Sequence, residues 1–212
     1  ARELFLYLLF NGPESRERLS VAFWPDSPTK QVRAVFHTTL YRARQALGEN
    51  AIIFRDGVYL INPDLNLWCD AIELENFTRQ ARLLPMRDAR TENLWSKAVN
   101  LYHGDFLPGR DIDWVFYRRQ TLLEAYIEAL VGVGNCARAR HSFRDAITSF
   151  RHALDADPYR EDAHRAIMMC FAELGEKHQV LAHFQRMQDL FLTELGLDPS
   201  EETVSLADQL LK

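Results

Sequence analysis

Between Asp26 and Glu49 the chain carries no acidic residue, yet Lys30, Arg33, Arg42 and Arg44 all fall inside that interval. Lys30, Arg33, His37, Tyr41 and Arg44 recur at helical spacing and make one stripe, with Thr38 and Arg42 further round. Cations reach phosphates, Arg pairs with guanine, and a Thr methyl meets thymine when such a helix lies in a major groove. Arg55 stands at an Arg-Asp-Gly turn, where a hairpin tip could reach a neighbouring minor groove or phosphate. The chemistry these residues suit is recognition of nucleic acid. A solvated face is the commoner meaning of a basic helix, so charge alone does not decide it.

The elements that would position these groups are legible from punctuation. Residues 3–10 and 15–24 read as two short helices separated by Asn11-Gly12-Pro13, with Ser15 as a plain N-cap. Trp24-Pro25-Asp26-Ser27-Pro28 closes the second, and a longer helix runs from about Thr29 to Leu47, stopping at Gly48. Val32, Phe36, Leu40, Ala43 and Leu47 supply its apolar face. Ile52-Ile53-Phe54, Arg55-Asp56-Gly57 and Val58-Tyr59-Leu60-Ile61 then predict a β-hairpin around an Asp-Gly turn. Helix, helix, basic helix, hairpin is the order a winged helix-turn-helix needs.

Everything after Asp70 reads as helix with short breaks at His103-Gly104-Asp105, Leu107-Pro108-Gly109 and Asp157-Pro158. Ala146, Phe150, Ala153 and Pro158 recur 34 residues later as Val180, Phe184, Met187 and Leu192, with Gly134 ahead of the first set. That spacing matches the tetratricopeptide pattern, in which a small residue lets paired helices approach and an aromatic fills the gap. The fold class is therefore mainly α: a winged helix-turn-helix of three helices and a hairpin wing over 1–66, then an all-α tetratricopeptide-like array of helical hairpins over 67–212.

Composition narrows the function. The 212 residues carry 25 Lys and Arg against 30 Asp and Glu, which argues against binding nucleic acid or membrane through overall charge. The imbalance is local: to Leu65 there are eight cations and seven acids, and the remainder holds 17 and 23. The longest apolar run, Leu4 to Phe10, is far short of the ~20 residues that span a bilayer. Three unpaired Cys (Cys69, Cys136, Cys170) make a disulfide framework unexpected and the cytoplasm the default compartment. No Gly-rich phosphate loop, His-Glu-x-x-His or Cys-x-x-Cys occurs, so neither a catalytic set, a cofactor nor a metal is expected. Asp162, His164 and Cys170 do not form a convincing set, since residues two apart on a helix point in different directions. Met168-Met169-Cys170-Phe171 reads as core.

Phe23-Trp24-Pro25-Asp26, Leu40-Tyr41-Arg42-Ala43-Arg44-Gln45-Ala46-Leu47-Gly48 and Gly57-Val58-Tyr59-Leu60 resemble SARP-like transcriptional activators. Gly104-Asp105-Phe106-Leu107-Pro108-Gly109, Asp157-Pro158-Tyr159-Arg160-Glu161-Asp162-Ala163-His164-Arg165 and Glu194-Leu195-Gly196-Leu197-Asp198-Pro199 look like landmarks of the bacterial transcriptional activator domain. The resemblance covers essentially the whole chain. It implies a DNA-binding winged helix followed by a helical domain that contacts partner proteins. The recognition positions it implies are Thr38, Thr39, Tyr41, Arg42 and Arg44, with Arg55 on the wing. Ala43 stands where the family usually has Leu, and Tyr41 where it often has Arg. The family's small N-terminal sheet has no counterpart here, and the phrasing is closest to the C-terminal output part of large ATP-dependent regulators.

The expected partners are double-stranded DNA and, through the helical half, RNA polymerase, a second protomer or upstream regulatory domains. The rival reading is a protein–protein adaptor whose winged helix never meets DNA, because a fold does not by itself dictate function. A ligand-sensing helical domain would instead need a closed apolar pocket among its helices.

Overall fold

A computed structural model describes residues 1–28 and 31–212, among which lie ten helices and one two-stranded sheet in two compact units, Ala1–Trp68 and Cys69–Lys212. In the first unit α1 (Arg2–Asn11) buries Leu4 and Leu8 on one face and ends at Gly12, whose φ of 81° a side chain would resist. Helix α2 (Arg16–Phe23) is capped as expected, the Ser15 hydroxyl accepting from the Arg18 N–H at 3.2 Å. Helix α3 (Thr29–Leu47) buries Val32, Phe36, Leu40 and Ala43. Leu47, expected on the same face, is instead 46% exposed. The buried cluster ends one turn earlier at Ala43, and Leu47 lies past it.

Strands β1 (Ile52–Arg55) and β2 (Val58–Ile61) form the expected hairpin, with Arg55 in the strand opposite Val58 and not in the turn. Positive φ at both Asp56 and Gly57 (55° and 82°) is what a two-residue turn of the primed kind requires. Tyr59 exchanges two backbone hydrogen bonds with Glu14, at 2.8 and 2.9 Å, tying the wing to the α1–α2 connection. Its ring meets Phe36 edge-on at 4.9 Å, so the wing and α3 share one core.

The second unit stacks three antiparallel helix pairs: α4 (Asp70–Arg82) on α5 (Ala89–Leu101), α6 (Asp113–Ala139) on α7 (Phe143–Ala156), and α8 (Glu161–Glu173) on α9 (Lys177–Leu195). Helix α10 (Glu201–Leu211) packs across α8 and α9. Gly134 does what the repeat pattern implies. A Cβ there would sit 2.6 Å from the Phe150 ring, so only a missing side chain lets α6 and α7 approach this closely. Gly132 makes the same kind of contact with Trp95 of α5, which the periodicity does not announce.

The 34-residue period extends to the helix ends. The Ser142 N–H bonds the Ala137 carbonyl, and 34 residues on the Glu176 N–H bonds the Phe171 carbonyl, each at 2.9 Å. The left-handed residue inside each turn is His141 in one and Gly175 in the other, with φ of 64° and 73°. Ala146, Phe150, Ala153, Val180 and Met187 are all buried. Leu192, the partner of Pro158 in the repeat, is exposed on α9. Without a proline there, the helix continues to Leu195.

Candidate nucleic-acid interface

Helix α3 is the only element of the first unit with one face in the core and the other spread to solvent over five turns, among the described residues. Arg33, His37, Thr38, Tyr41 and Arg42 are all exposed on it, Tyr41 by 63%. Lys30 lies outside the described residues. Thr39 is half-buried beside the core stripe. The helix ends where Gly48, at a φ of 103°, turns the chain away and donates to the Arg44 carbonyl at 2.8 Å.

Two of the expected contact groups turn out to be engaged within the protein. The Arg44 guanidinium donates from Nε and Nη2 to the Ile52 carbonyl at 2.9 and 2.7 Å, and its side chain is half-buried. It joins the first strand of the wing to the end of α3. The Thr38 hydroxyl donates to the Ala34 carbonyl one turn back at 2.9 Å. That spends its one hydroxyl hydrogen and leaves the γ-methyl and the acceptor lone pairs of Oγ1.

Arg55 is 62% exposed at the hairpin tip, 4.0 Å from the Asp56 carboxylate, too loose a pair to immobilise it. Phe54 beside it is 57% exposed although it carries an aromatic ring, which rests 4.7 Å from Tyr59. Val35, 43% exposed on α3, is a second apolar side chain in solvent that the charge pattern does not flag. Val35 is found as an apolar residue out of phase with the buried stripe, whereas Phe54 shares the strand phase of buried Ile52 and carries no such signal.

In the second unit the side chains that resemble chemistry bond to other groups of the protein. Arg160 takes both oxygens of Asp162 and reaches Glu124, joining the start of α8 to α6. His164 turns instead to His183 of α9, Nδ1 to Nε2 at 2.9 Å, while its Nε2 meets the Pro158 carbonyl at 2.9 Å. A carbonyl only accepts, so His164 is protonated at Nε2 and its Nδ1 accepts the Nε2–H of His183. Both rings are buried and neutral, and burial pushes His183 down to about 3, with His164, Arg186 and Arg151 adding to the effect. Cys170 is fully buried, and burial raises its thiol to about 11. It behaves as a small hydrophobe. Among the described residues no group of three or more His, Cys, Asp and Glu is gathered as metal ligands, and no helix is long and apolar enough to cross a membrane.

Comparison with known proteins adds to this geometry. A family model described as bacterial transcriptional activator domain matches residues 69–211. The regulatory protein AfsR of Streptomyces griseus is 28% identical over 204 residues, covering 90% of this chain and 20% of that protein. AfsR of Streptomyces coelicolor is 22% identical over 195 residues, covering 90% and 19%. The chain thus spans about a fifth of the length of the curated relatives it matches. Among solved structures, Mycobacterium tuberculosis EmbR, in complex with a low-affinity phosphopeptide, matches 95% of this chain and 55% of its own. Its TM-score is 0.78 at 20% identity, a likeness of fold.

Proposed function

The chain belongs to the bacterial transcriptional activator domain family, one of transcription regulators, and we propose that its first unit binds double-stranded DNA in a sequence-specific manner. Helix α3 enters the major groove. Arg42 contacts phosphate or guanine, Lys30, Arg33 and His37 lie along the phosphates, and Thr38 and Tyr41 meet base edges. Thr39 lies at the margin of this surface, and Arg55 on the wing reaches a phosphate or the adjacent minor groove. Arg44 keeps the wing at its angle to α3 through the Ile52 carbonyl, so that both elements engage one duplex. The helical unit supplies protein contacts, to RNA polymerase, a second protomer or regulatory domains. The observation that carries this reading is the acid-free, solvent-facing side of α3, kept exposed beside an exposed wing cation.

The test is fluorescence anisotropy with duplex DNA at two or more salt concentrations. Each phosphate contact contributes about one unit to the salt slope, so Arg42→Ala weakens all sequences and flattens the slope by about one if it touches phosphate. If Arg42 instead pairs with guanine, the loss is about 1–3 kcal/mol at one base pair only. Absence of any binding at low salt would refute DNA recognition and favour the adaptor reading.

A further inference from the structure

The side of α3 most remote from the core is not the side that carries most cations. With Phe36 at the centre of the buried stripe and about 100° per residue, Gln31, Ala34, Thr38, Tyr41 and Gln45 lie within about 40° of the opposite direction. Arg33 and Arg44 sit on a shoulder nearer the core, and Val35 and Arg42 on the other flank. Gln31, Ala34, Val35 and Thr38 are all exposed. A helix docked in a major groove turns its apex to the base edges and its shoulders to the phosphates, so the apex residues do the reading.

The chemistry of that apex is selective. Guanine is read by Arg or Lys, and cytosine N4 by a carboxylate. From Gln31 to Thr38 the apex has neither, among the described residues. It offers the carboxamide of Gln31, whose donor and acceptor match adenine N6 and N7, and small apolar groups, beginning with Ala34, that match the thymine 5-methyl. Thr38 joins these because its hydroxyl hydrogen is committed to the Ala34 carbonyl. Resting on the DNA-binding reading above, we propose that the N-terminal half of α3 reads A·T base pairs. Gln31 recognises adenine, and Ala34 and Thr38 contact the methyl groups of thymines.

The test has two stages with the whole 212-residue chain. Selection from a random duplex pool comes first, followed by anisotropy titrations of the selected duplex with single thymines replaced by uracil, which removes only the methyl. A·T pairs dominate the part of the site facing the helix start, and uracil at a contacted position weakens binding about fourfold. Thr38→Ser, which removes only the γ-methyl, abolishes that difference at one thymine. Gln31→Ala lowers discrimination at one adenine by about fivefold or more. Both positions are exposed, and an unchanged circular dichroism melt shows that the variants fold. Retention of duplexes with G·C pairs at those positions, or indifference to uracil, overturns this proposal and leaves DNA binding intact. Failure to retain any duplex at low salt overturns the DNA-binding reading, and this proposal with it.

Discussion

Gly134→Ala is a substitution for which two ordinary rules give opposite signs. In a helix interior alanine is favoured over glycine by about 0.8–1 kcal/mol, so on propensity α6 should be strengthened. The added Cβ, however, would lie 2.6 Å from Cε1 of Phe150 and 2.8 Å from Cδ1 and Cζ. Ordinary contact begins near 3.4 Å, so the ring must move by roughly 0.8 Å. Phe150 is fully buried in a cluster with Ala146, Ile147, Ala163 and Ile167, and α7 cannot retreat without uncovering them. Overpacking of this kind costs about 1–3 kcal/mol or more, and a rigid aromatic face met by backbone belongs at the upper end. Net destabilisation of about 1–2 kcal/mol remains after the propensity gain, or ~2–8 °C in melting temperature for a chain of this size. Thermal melts by far-UV circular dichroism give the sign. A double-mutant cycle with Phe150→Leu gives the cause, since Leu relieves the clash and must cost less in the Gly134→Ala background than in the wild type. A Gly134→Ala protein as stable as the wild type, or additive with Phe150→Leu, would refute the claim that this glycine sets the α6–α7 separation.

Other consequences are as direct. His141→Gly, at a left-handed position where the equivalent turn has Gly175, should stabilise the second unit by about 0.5–1 kcal/mol in urea titrations, and any destabilisation would mean that the His141 side chain has a role of its own. The neutral His183 makes stability fall as the pH falls: the unfolded chain takes up a proton below about 6.5 while the folded one resists to about 3. Stability is therefore full above about pH 6.5 and lost on acidification at about 1.4 kcal/mol per unit, or ~2 kcal/mol at about pH 5. A urea midpoint that stays flat between about pH 7.5 and 5, or that falls equally in His183→Gln, speaks against it. Arg44→Ala removes two bonds to the half-buried end of the hairpin and should speed amide exchange in β1 and β2, leaving α6 to α9 unchanged; unaltered exchange in the hairpin would show that Arg44 does not hold the wing.

Much of the architecture was legible because its signals are local. Gly48, the Asp-Gly pair, Ser15 and the 3.6-residue rhythm of Val32, Phe36, Leu40 and Ala43 act within a few residues of where they stand, so strand register and helix limits follow from them. The 34-residue recurrence was visible too, since Phe150 and Phe184 stand one period apart, although only the first copy sets a glycine, Gly134, against its aromatic ring and the second has Met168 in that place. Leu47 misleads for the opposite reason. Its phase on α3 is right, and whether a core extends that far is decided by other segments.

The surface of α3 shows the same division at higher resolution. Sequence by itself determined that a basic, acid-free helix lies between two short helices and a hairpin, and which of its sides is buried. Only the tertiary structure decided which cation is engaged elsewhere, because the Arg44–Ile52 bond needs the chain to double back through Gly48. Contacts such as His164 with His183, or Gly132 with Trp95, likewise join residues 19 and 37 positions apart on different helices. Periodicity tells a residue which way it faces along its own axis; what waits there depends on segments that only packing brings into place.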